Sequence, residues 1–110
     1  MSAKTEALLT QLHELVVERE VSLYREHMLT AGKAEYWRRM SALARRLSEE
    51  DREILLSIVR TVAVDSLAMT FSVLSNEHQL NEIDELRLSA DDESINEDLR
   101  SEYLAKLGPV

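Results

Sequence analysis

The sequence predicts an all-α protein, an elongated bundle of four to five helices forming a single domain over residues 1–110. Three observations carry this reading. Two glycines and one proline in 110 residues cannot supply a sheet protein, which needs turn residues about every 8–12 positions. Both glycines, Gly32 and Gly108, stand where a helical pattern ends. The apolar residues recur mostly with the helical period rather than in alternation.

The first helix is predicted over about residues 3–30, with Gly32 as a left-handed residue just past its end. At about 100° per residue its apolar side chains fall into two stripes. Leu8, Leu9, Leu12, Leu15, Val16 and Leu23 form the stripe expected to face the core. Val17, Val21, Tyr24 and Met28 lie roughly opposite, so they are expected at a homodimer interface. The second helix covers about residues 33–47, with Tyr36, Trp37, Met40, Leu43, Ala44 and Leu47 inward. Arg38, Arg39, Arg45 and Arg46 occupy its other side.

Ser48 begins a long third helix over about residues 49–75, with Glu49, Glu50 and Asp51 set against the positive end of its dipole. Between Ile54 and Asn76 only Arg60 and Asp65 are charged. Apolar side chains cover most of its circumference, which predicts a buried central helix. Residues 79–87 are expected as a short helix, or as a short extended piece near Leu86 to Leu88. Ser94 and Glu97 form a capping box for a last helix over about residues 95–107, with Leu99, Tyr103, Leu104 and Leu107 inward. Gly108 and Pro109 stop it. The third helix, at 1.5 Å per residue, is about 40 Å long, against a radius of gyration of about 13 Å for a compact chain of this size. Elongation, a break in the long helices or a partner subunit that completes the core follows.

Several chemistries are excluded. The chain has no cysteine, so thiolate metal sites, disulfides and cysteine nucleophiles are out. No GxSxG, HExxH, Glu-x-x-His or glycine-rich phosphate loop occurs. Glu49-Glu50-Asp51-Arg52-Glu53 has the spacing EExxE and resembles half of the magnesium motif of all-α nucleotide pyrophosphohydrolases. The resemblance covers five residues, and the second half of that motif, ExxD, is absent between residues 54 and 84. No metal or cofactor is expected.

The net charge of -8 is unevenly spread, with five bases and one acid in residues 33–47 and most of the acidic excess beyond residue 76. Arg38, Arg39, Arg45 and Arg46 could meet nucleic acid, but the acidic whole and the missing aromatic platform argue for a solvated face instead. The start lacks the apolar core of a signal peptide, and no run of about 18 uncharged apolar residues occurs, so a cytoplasmic protein without a membrane span is expected.

Asp65 and Arg60 stand out as charges inside an apolar helix. Five residues apart, they lie about 140° around it and do not face each other. Arg19 interrupts the first helix's leucine stripe and could meet Asp65. Arg19, Arg60, Thr61 and Asp65 are therefore expected as a buried ion-pair network or a polar pocket. The functional expectation is a small acidic interaction or regulatory module acting as a homodimer, of the immunity or antitoxin kind by class, and not an enzyme. A basic protein is a possible partner. The alternative is a small-molecule-binding or hydrolytic protein with a polar pocket around Asp65.

Overall fold

Ser2 starts the first helix by accepting the Thr5 amide on its hydroxyl at 3.1 Å. The computed structural model describes residues 2–30 and 33–108, and the chain is all-α, with 70% of it helical. The predicted end residues Gly32 and Pro109 lie outside the described residues. Helix α1 is Ala3–Leu12, a π-helical segment follows at His13–Glu18, and α2 is Arg19–Leu29. Helix α3 is Glu35–Arg45 and α4 is Glu49–Leu74. A two-residue hairpin, β1 Ser89–Ala90 and β2 Glu93–Ser94, precedes α5, Leu99–Leu107.

The π-helical segment reverses the expected facing of the first helical run. In an unbroken α-helix, Val17, Val21 and Met28 lie about 80–120° around from Leu9. A π turn takes in one extra residue, about 100° of register, so the residues after it do not follow the face that the regular period predicts. Leu9, Val17, Val21 and Met28 are indeed buried. Leu15, Val16 and Leu23, assigned inward by the regular period, are exposed.

Ser48 caps α4 as expected, accepting the Asp51 amide at 3.1 Å. The helix ends in a Schellman motif: the Glu77 amide donates to Ser72 O at 2.9 Å and the Asn76 amide to Val73 O at 3.1 Å. Asn76 takes the left-handed conformation there, with φ 63°. The expectation of a buried centre is corrected. Leu56, Leu67, Ala68, Phe71 and Ser72 are buried, but Ile54, Ile58, Val62 and Met69 are exposed. By length and composition α4 is apolar enough to cross a membrane, yet only 28% of its most apolar window is buried.

The short helix expected over residues 79–87 does not form. The side chain of Asn76 instead takes both backbone groups of Leu86, donating to its carbonyl at 3.0 Å and accepting its amide at 2.8 Å. The extended piece falls slightly later, in the antiparallel pairs Ser89 with Ser94 and Ala90 with Glu93. Asp91 and Asp92, with φ 50° and 68°, make the two-residue turn between them. The Ser94–Glu97 capping box is not used. The Ser94 hydroxyl bonds to Asn96 Oδ1 at 3.2 Å, and α5 begins at Leu99, whose amide donates to Ser75 Oγ at 3.0 Å.

The chain divides into two compact units, Met1–His13 with Val64–Val110, and Glu14–Ala63. In the first, Phe71 packs edge-on against Tyr103 at 5.2 Å, and Tyr103 OH bonds to His13 Nδ1 at 2.8 Å. Asn96 Nδ2 donates to both Leu74 O and Leu86 O, at 3.1 and 2.9 Å. In the second, Met28, Ala44 and Leu56 form a small core, with Tyr24, Met40 and Leu55 packed against it. Arg52 closes the end of α3 by donating to Ala44 O and Leu47 O at 3.2 and 2.9 Å.

Candidate functional site

Arg60, expected in a buried network or polar pocket with Asp65, has another partner. Arg60 grips Glu18 through both of its terminal nitrogens, with Nη2 to Oε2 at 2.8 Å. Arg19 and Asp65 are exposed, not buried as expected. Thr61 turns its hydroxyl back onto Ser57 O at 2.9 Å, and Ser57 does the same to Ile54 O at 2.7 Å. Arg60, Thr61 and Ser57 thus each have a partner close by on their own unit.

The expected dimer stripe is corrected as well. Val17, Val21 and Met28 are buried and cannot cover a second copy, whereas half-buried Tyr24 reaches the surface. The π register is the physical reason. It presents Leu15 and Val16 outward instead.

What the second unit does leave open is an apolar groove of about 660 Å³. The π-helical segment supplies Leu15 and Val16, α2 supplies Glu20 and Tyr24, α3 supplies Tyr36, and α4 supplies Ile58, Val59, Val62 and Ala63. Leu15, Tyr36, Ile58 and Val62, with neighbouring Ile54, are each 52–59% exposed. Such a contiguous apolar surface marks interaction sites on soluble chains. Among the described residues, Glu20 is its only charged lining residue.

One corner of the groove is aromatic. The hydroxyls of Tyr24 and Tyr36 lie 3.4 Å apart. Trp37 packs edge-on against both rings, at 5.2 and 4.9 Å, and stacks on His27 at 4.0 Å. The hydrogen bond to Tyr36, then burial, then the charges of Tyr36 and Glu20 push the Tyr24 phenol up to about 12. Tyr24 therefore stays neutral at ordinary pH.

Beside the groove, α2 is tied to α4 by a two-pronged pair, Arg25 to Glu53 at 2.5 and 3.2 Å. That guanidinium holds the Glu53 carboxyl below its ordinary value. The last carboxylate of the EExxE string is thus occupied by an arginine. Among the described residues no cluster of three or more His, Asp or Glu is placed to hold a metal ion.

Leu15, Ile58 and Val62 were visible in the sequence as apolar residues but assigned inward, whereas Glu20 and Tyr36 carried no signal as site residues. The available hint was α4 itself: a helix apolar on nearly all sides requires more cover than so short a chain supplies. The groove offers binding contacts without a paired nucleophile and base. The chain has no significant match among family models, curated proteins or solved structures.

Proposed function

We propose that this chain is a non-enzymatic protein-interaction module that works as a homodimer through the open apolar face of its second unit. The observation that carries the reading is the exposure of Leu15, Tyr36, Ile54, Ile58 and Val62 on one unit. Burying a large apolar side chain fully contributes about 1.5–3 kcal/mol, so the half still in water is worth about 1 kcal/mol. Five such residues on each of two copies then contribute about 10 kcal/mol. Association costs about 4–15 kcal/mol, so a two-fold pair of these faces reaches the range where dimers form. The Ile54, Ile58 and Val62 row, spaced four residues apart on one helix, suits contact between equivalent helices. A cytoplasmic location belongs to the same proposal. The alternative of a pocket around Asp65 has less support, because Asp65 is exposed and Arg60 pairs with Glu18.

Sedimentation at micromolar concentration tests the reading. The expected species is a dimer, twice 12.6 kDa. Ile58→Glu should dissociate it with the helical circular dichroism intact. A monomer for the wild-type chain at these concentrations would sink the homodimer.

A further inference from the structure

We propose that the Glu20, Tyr24 and Tyr36 corner of the groove receives a lysine or arginine side chain, carried on an amphipathic helix of a basic partner protein that displaces the second copy. The inference rests on the interaction reading above and names the partner of the same face.

Charge complementarity singles out this occupant. Glu20 is the groove's one charged lining residue, and it forms no ion pair among the described residues. A cation seated here meets the Glu20 carboxylate and the two tyrosine rings together, and each attracts it. Trp37, edge-on against both tyrosines, fixes the orientation of those rings. Next to this corner the lining is aliphatic, so the occupant carries apolar side chains beside its cation. A helix with anchors three and four residues apart supplies that pattern.

A second copy meets the corner less well. In a two-fold pair each groove faces an identical groove, and that lining contains no lysine or arginine. Closing the dimer therefore crowds two Glu20 carboxylates toward low dielectric without a counter-charge. A basic helix removes that penalty, and the net charge of -8 steers it in.

The test uses the full chain and two helical peptides of about 18 residues, one of Leu and Lys and one of Leu and Glu in the same pattern. Binding is read by the fluorescence of the single tryptophan, Trp37, and by sedimentation. The Leu/Lys peptide should saturate at one per chain and convert the dimer into a one-to-one complex, while the Leu/Glu peptide should not bind. Glu20→Gln should weaken the Leu/Lys peptide about tenfold, the loss of one desolvated charge contact. Glu14→Gln, an exposed acid outside the groove, should leave it unchanged. Equal weakening by the two variants, or none by Glu20→Gln, overturns the proposal and leaves the homodimer standing. A wild-type monomer that still binds the Leu/Lys peptide through Glu20 does the reverse, removing the homodimer and keeping the basic partner.

Discussion

The two units of this protein draw on one helix and treat it differently. In the first, the later turns of α4 bury Leu67, Ala68, Phe71 and Ser72, and the segment after the helix is fastened by side chains bonding backbone. In the second, the earlier turns leave Ile54, Ile58 and Val62 in water, and the ion pairs Arg25–Glu53 and Glu18–Arg60 bind the helices at the edges of a small core. From Ile54 onward the two stretches of α4 are about equally apolar in sequence. Apolar content therefore does not decide burial; the supply of neighbours does. The first unit has the loop of residues 76–98 and α5 to place over its helix. The second has only a helical hairpin.

The sharpest break in that contrast is Phe71→Ala against Ile58→Ala. Phe71 is wholly buried, so its truncation should cost about 3–5 kcal/mol in denaturant unfolding. Ile58 is half in water, so in the monomer its truncation should cost about 1 kcal/mol or less. Equal costs would mean that the two stretches of α4 are packed alike.

Next in size are the asparagine fastenings of the first unit. Asn96→Ala removes two bonds to the carbonyls of Leu74 and Leu86, and a loss of about 1–3 kcal/mol is expected. Asn76 separates two effects, because its φ of 63° suits glycine while its side chain holds Leu86. Asn76→Gly should keep the helix end and lose the loop, whereas Asn76→Ala should lose both and unfold more easily. Identical losses would show that the backbone conformation carries no strain.

In the second unit, Tyr24 gives a titration rather than a large energy. Its phenol is raised from the ordinary 10 to about 12, first by the bond to Tyr36. The stabilisation is fully present below pH 10 and is lost as pH rises through about 12. Absorbance titration should show Tyr24 ionising late, and Tyr36→Phe should bring it back toward 10. An unchanged curve would mean that the two hydroxyls do not interact.

The fold class and the start of α4 could be read from the sequence because they rest on local chemistry: few glycines, a serine before three acids, and the period of the apolar residues. The site could not. A π turn has no sequence signature, and one extra residue of register was enough to exchange the faces of Val17 and Leu15. The last helix was placed too early because a local capping box, Ser94 with Glu97, lost to a partner far along the chain, Ser75. The hairpin turn at Asp91 and Asp92 lacks the glycine that would announce it. Asp65 misled for the opposite reason. A charge in an apolar run predicts a partner only where its own face is buried, and Asp65 lies on an exposed face of α4.

Asp65→Ala therefore gives the smallest expected effect and the cleanest separation of the two readings of α4. A buried Asp65 facing a cation would make the change cost about 3–5 kcal/mol by stranding that cation. The side chain is exposed and Arg60 is held by Glu18, so no cation is stranded. What remains is intrinsic preference, because alanine is the better helix former by up to about 0.7 kcal/mol per residue. Asp65 sits mid-helix, so the helix dipole adds little in either direction. The variant should match or slightly exceed the wild-type midpoint in thermal and denaturant unfolding. A loss above about 2 kcal/mol would show that α4 is covered at this position in solution, and the covering surface would then have to supply a positive charge.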